Sequence, residues 1–256
     1  MTGDEVKRKG NSGQILLIAT FIMASLLLSS QMYIFEVGKS TTETELNSLE
    51  NFVLAVKLGS KHVAIGSLAN ASNGGQISSF SLNLQKWSSL ISNQFQFGKS
   101  SLYYTLSEAA PYTSGFWIYQ GINGYGFSSA YANFTYRLSD REVTIDQNYF
   151  VNITTAIIIE STFQAISGNE KQINITVNVL NEMEPALAKQ IRVYYERSGS
   201  WLIPDETNNY TILDYGTGSY LVSFVADIPS SSVAVSAQVI DQREIYSQAN
   251  VTSTQI

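Results

Sequence analysis

Residues 173 to 180 read INITVNVL. Ile173, Ile175, Val177 and Val179 alternate with Asn174, Thr176 and Asn178. A strict period of two puts all the apolar side chains on one face of a strand, so this segment reads as a half-buried β-strand. The same pattern recurs downstream. Ile191, Val193 and Tyr195 alternate with Arg192, Tyr194 and Glu196. Tyr210 to Asp214, Gly218 to Ala226, Ser232 to Ile240 and Glu244 to Val251 continue the series. Asp205 to Asn209 and Asp214 to Ser219 supply the turn residues between them. Upstream, Val143 to Asp146 and Phe150 to Ser161 are rich in β-branched residues. Strands at this spacing predict an antiparallel, sandwich-like, immunoglobulin-like arrangement. The chain has no Cys, so the Cys…Trp…Cys hallmark of that class is missing.

Further upstream the signal is mixed. Residues 101 to 135 are dense in Tyr, Phe and Gly. Gly115, Gly121, Gly124 and Gly126 suit turns, and the aromatics suit hairpin strands and core. Exposed members of such a set can also stack on sugars or mediate adhesion. Leu82, Leu84, Trp87 and Leu90 fit a short helix or an edge strand. Leu46, Leu49, Val53 and Val56 recur at spacings of three and four, which predicts an amphipathic helix over 36–69. The run Asn70-Ala-Ser-Asn-Gly-Gly75 is its stop signal. His62 lies in this helix and reads as a surface residue.

Residues 14–35 differ in kind. Lys7, Arg8 and Lys9 form a basic cluster, and no charged residue follows until Glu36. Ile15 to Phe35 is mostly apolar all round. At about 1.5 Å per residue it reaches roughly 30 Å, the thickness of a bilayer core. Positive charge before the span and acidic residues after it predict a single pass with the N-terminus inside and the bulk outside. A buried core helix and a secretory signal peptide are the rival readings. Residues 70–256 then form an extracellular head, and the fold class is α+β.

The join between basic cluster and apolar run is Arg8-Lys9-Gly10-Asn11-Ser12-Gly13-Gln14. It resembles the class III leader of archaeal type IV pilins and archaellins. The resemblance implies a prepilin peptidase that removes a leader, residues 1–13 or shorter, ahead of the apolar helix. A cut between Gly10 and Asn11 places Lys9 at −2, Gly10 at −1 and Gly13 at +3, as in archaellins. A cut between Gly13 and Gln14 gives the pilin-like Gln at +1, with Ser12 at −2. The bacterial pilin glutamate at +5 is absent, since Ile15 or Ile18 holds that place. The resemblance covers only residues 7–35. It implies a mature helix that packs against its own kind or against other pilin-like subunits. Ala19, Ala24 and Ser25 are small enough for close helix approach.

Composition narrows the chemistry. Charged residues make up 14% of the chain, against about 25% in ordinary globular proteins. Ser, Thr, Asn and Gln fill the gap at about a third of all residues. Lack of Cys excludes disulfides, thiol nucleophiles and cysteine metal sites. One His cannot build a multi-histidine site. A net charge of −6 lacks the basic footprint of a nucleic-acid binder. No nucleotide-binding, zinc-protease or hydrolase motif occurs, so no cofactor is expected and a catalytic role is not. Asp140, Glu142 and Asp146 are close enough in sequence for calcium, although solvated carboxylates explain them as well. Six N-x-[ST] sequons, at Asn70, Asn133, Asn152, Asn174, Asn209 and Asn250, are candidate glycan sites on the outer side. Together these readings predict a pilin-like subunit of a surface filament with a glycan-bearing head. The alternative is a permanently anchored surface protein, an adhesin or envelope component, that does not polymerise. A diverged membrane-tethered enzyme is a distant third.

Overall fold

The computed structural model describes residues 49–94, 98–139 and 144–256. Contacts divide the chain between Ala55 and Val56, and the account below concerns the larger unit, Val56–Ile256. The expected leader and apolar span, residues 1–35, lie outside the described residues.

Helix α1 is described over Leu49–Ser72 and α2 over Ser79–Gln94. Among the described residues α1 alone is long and apolar enough to cross a membrane, with a mean hydropathy of 1.3. That is compatible with single-pass anchoring. From Val56 onward, however, it also carries a packed face. Val56, Ser60, Ala64, Ser67 and Leu68 recur at helical spacing and are fully buried. The helix stops where Gly74 takes a left-handed conformation, φ 89°, and Gly75 N–H caps the Asn70 carbonyl at 2.9 Å. This stop falls inside the Asn70–Gly75 run.

The ambiguous Leu82–Leu90 segment is helical. Phe80, Leu84 and Ile91 form its buried stripe, at spacings of four and seven that a strand could not place on one face. The two helices lock through Trp87, whose indole N–H donates to Ser60 Oγ at 3.1 Å. Asn83 Nδ2 donates to Ser67 Oγ at 3.0 Å.

Twelve strands are described, joined in one mostly antiparallel sheet. They are β1 Lys99–Leu106, β2 Phe116–Tyr119, β3 Tyr125–Ser139, β4 Thr144–Ser167, β5 Glu170–Asn181, β6 Glu184–Pro185, β7 Ala188–Arg197, β8 Ser200–Leu202, β9 Thr211–Asp214, β10 Ser219–Asp227, β11 Val233–Asp241 and β12 Tyr246–Gln255. The main order is β8-β7-β11-β12-β4-β5-β10-β9, with β3 also on β4 and β1 and β2 both on β3. The INITVNVL segment lies in β5, with Ile173, Ile175, Val177 and Val179 all buried. From Thr144 onward the two β-rich segments, the second at 150–161, belong to one long strand, β4; Val143 lies outside the described residues. The strand's break in apolar pattern at Asp146–Asn148 falls where β4 pairs only with β3, and Asp146 and Asn148 are exposed there.

One buried cluster holds the sheet. It joins Ile173 to Val179 of β5 and Val222 and Phe224 of β10 with Val193 of β7 and Val235 to Val239 of β11. Those pairs of strands lie well apart in the order, so the sheet curls to bring its two halves over one core. Each large side chain buried in this way contributes about 1.5–3 kcal/mol. The two halves are hydrogen-bonded through β12 and β4, which pair in parallel at Thr254–Thr162 and Gln255–Phe163. Ser161 and Ser253 hydroxyls meet there at 2.7 Å, buried. Gly126 permits β3 to pass β12 closely, since a Cβ on it would stand 1.9 Å from the Gln248 carbonyl oxygen.

Candidate functional site

Strands β3 and β4 pair over fifteen residues, from Tyr125–Ile158 to Ser139–Thr144. Alternation gives their two faces opposite characters. Ala130, Ala132, Phe134, Tyr136, Leu138, Val151 and Ile153 are buried on one face. The helices join that face: Tyr149 stacks on Phe134 (5.0 Å, 10°) and shares a 3.0 Å hydrogen bond with Ser60. Burial pushes the Tyr149 and Tyr136 phenols up from their ordinary pKa, against smaller lowering by Ser60 and Ser100 respectively.

The opposite face is aromatic and polar without much charge. Its cross-strand pairs run Ser129–Thr154, Tyr131–Asn152, Asn133–Phe150, Thr135–Asn148 and Arg137–Asp146. Ser129 Oγ meets Thr154 Oγ1 at 3.0 Å and donates to Asn152 Oδ1 at 3.3 Å. Thr135 Oγ1 donates to Asn148 Oδ1 at 2.7 Å, and Tyr131 Oη to Asn133 Oδ1 at 3.3 Å. The Tyr131 and Phe150 rings lie stacked, 5.9 Å apart and 16° from parallel.

At the β2 end this face opens into a groove of about 370 Å³. Tyr112, Trp117, Tyr125 and Phe127 form its aromatic wall, and Asn152, Thr154 and Glu182 its polar side. Trp117 stands edge-on to Phe127 at 4.0 Å, and Tyr112 Oη meets Ser129 Oγ at 3.0 Å. Glu182 is held by Arg243 (2.7 Å) and accepts from the Thr154 N–H (3.0 Å). Arg243 in turn donates to buried Asp241 at 2.8 Å and to the Thr154 carbonyl and Thr155 hydroxyl at 3.0 Å each. The groove's one carboxylate is therefore already paired. What remains to meet a ligand is ring faces, amides and hydroxyls, a set suited to neutral polyhydroxylated surfaces rather than to acid–base chemistry. No group of acidic and His side chains that could hold a metal occurs among the described residues.

The sequence-predicted residues fall as follows. Lys9, Gly10, Asn11, Gly13 and Gln14 lie outside the described residues, as do Asp140 and Glu142. Asp146 pairs with Arg137 at 3.1 Å on the exposed face. His62 is exposed on α1. Among the sequons, Asn70, Asn133, Asn152 and Asn209 are exposed, while Asn174 and Asn250 are half-buried. Asn174 accepts from Ser223 Oγ at 2.7 Å, and Asn209 takes a left-handed conformation after a short turn at Glu206–Asn208. The structure brings Asn133 and Asn152 onto one face beside the same two rings and leaves the other four apart. The groove itself was not read from the sequence. Its only local signal was the aromatic density of residues 101–135, because the register that sets Trp117 beside Ser129 and Asn152 is non-local.

No family model matches the chain, and no curated protein matches it.

Proposed function

We propose that this chain is a pilin-like structural subunit of a cell-surface filament, of the kind built by archaeal type IV pilins and archaellins. It is anchored by its N-terminal helix and presents a sandwich-like β head outside the membrane. The observation that carries this reading is the order of segments: Lys9-Gly10 to Gln14, a charge-free run to Phe35, then a helix leading into a β-rich unit. Cleavage ahead of an apolar segment, not after it, leaves a hydrophobic helix at the new terminus. Such a helix is held by the bilayer before assembly and by its copies afterwards. The head supports the reading through its surface, solubilised by hydroxyls and amides rather than by charge, which lets like surfaces approach without strong repulsion.

N-terminal sequencing of the protein purified from its own cells tests this. A terminus at Asn11 or Gln14 is expected. A terminus at Met1 or Thr2 overturns the proposal and leaves the permanently anchored surface protein. The large head favours a minor or tip subunit, which stoichiometry in purified filaments measures.

A further inference from the structure

The two exposed sequons of β3 and β4 share a local design. On β3, Tyr131, Asn133 and Thr135 occupy alternate positions; on β4, Phe150, Asn152 and Thr154 do the same. Period two puts each aromatic, its Asn and its Thr on one face. The pairing is reciprocal: Tyr131 lies opposite Asn152, and Asn133 opposite Phe150. Both asparagines therefore flank a single stacked ring pair. Phe150 is 64% exposed. Asn152 also lines the aromatic groove beside Trp117 and Tyr112. Its Oδ1 is held by Ser129, while its Nδ2 donates to none of the described residues.

We propose that Asn152 is an N-glycosylation site whose first sugar is seated on the Tyr131–Phe150 rings, with the glycan continuing along the groove. Asn133 is the second, lesser site of the same patch. The sugar is a neutral hexose or N-acetylhexosamine. Its C–H face lies on the rings, and its hydroxyls meet the hydroxyl and amide groups of Ser129, Thr154 and Asn152. In the attachment step, Asn152 Nδ2 bonds to C1 of a lipid-phosphate-linked glycosyl donor. The C1–O bond to phosphate breaks, the phosphate leaves with the electron pair, and the amide gives up one proton. The groove explains the preference for Asn152, which lines its aromatic wall while Asn133 does not. Its occupant is tethered, so ordinary sugar–aromatic contact suffices without the entropy cost of free association.

The inference rests on the outward placement of the head, and its test separates the two. Glycopeptide mass mapping of the protein from its own cells should find sugar at Asn152. Sugar at other sequons but not at Asn152, or no sugar at any of the six, overturns the inference and spares the outward head, which protease accessibility on intact cells tests separately. Seating is read by thermal melting in the same host. Asn152→Gln and Thr154→Ala, which both abolish the sequon, should each lower Tm by a few degrees, whereas Thr154→Ser, which keeps it, should not. In a Phe150→Ala background the Asn152→Gln loss should vanish. Equal losses in both backgrounds mean that the sugar does not sit on the ring, and overturn the seating.

Discussion

Asp241 shows how much one side chain can hold. It is fully buried at the end of β11. Its two oxygens accept from the Arg243 and Ile245 backbone N–H groups, Arg243 Nε and Thr155 Oγ1, all within 2.8–2.9 Å. Arg243 then reaches Glu182 and the β4 backbone, so one carboxylate fastens the β11–β12 turn to β4 and β5. Removing it leaves Arg243 Nε and the Arg243 and Ile245 backbone N–H groups without their acceptor. Asp241→Ala should cost about 3–5 kcal/mol, measured by urea denaturation. A loss below about 1 kcal/mol would mean that water replaces the carboxylate freely. None of this network is legible in the sequence, where Asp241, Gln242 and Arg243 merely fall between two strand segments. Its meaning depends on Thr155 and Glu182, 86 and 59 positions away.

Among the elements, the strands were the most readable. Ile173–Leu180 announces β5 because both neighbours and both faces agree with a period of two. Helix α2 was not readable, since Leu82, Leu84, Trp87 and Leu90 satisfy either period until Phe80 and Ile91 are seen to be buried with Leu84. The α1–α2 contact is set by Gly59, where a Cβ would stand 2.1 Å from the Trp87 ring. In an exposed helix, Gly→Ala gains up to about 1 kcal/mol. Here the sign reverses, because the ring is held against α1 by its bond to Ser60. Gly59→Ala should destabilise by about 1–3 kcal/mol and shift Trp fluorescence to the red as Trp87 is displaced. Unchanged emission with higher stability would show that the ring moves aside without penalty.

At the scale of the whole molecule, the head is a curled sheet with a helix pair on the buried face of β3. The α+β class follows from sequence periodicity; the curl and the strand order do not, because only long-range pairing decides them. The phenols of Tyr136 and Tyr149 sit in this layer with raised pKa, chiefly through burial. A folded-state pKa above the unfolded value of about 10 means that the neutral form is favoured by folding. The associated stability is complete below about pH 10 and is lost as pH climbs through the raised values. Absorbance titration should show a late-ionising subset among the 15 Tyr, with far-UV signal falling as they ionise. All fifteen titrating together near pH 10, with structure intact, would contradict the packing.

The β12–β4 junction has a consequence in time as well as in space. β4 is complete by Ser167, yet the partner that joins the two halves of the sheet begins at Tyr246. Loops closed over such separations are slow to form, and chains are synthesised from the N-terminal end. Until residues 246–255 emerge, both β4 and β11 present an open edge, a template for pairing with other strands. The order of synthesis thus gives the head a vulnerable interval that ends only when its C-terminal strand arrives.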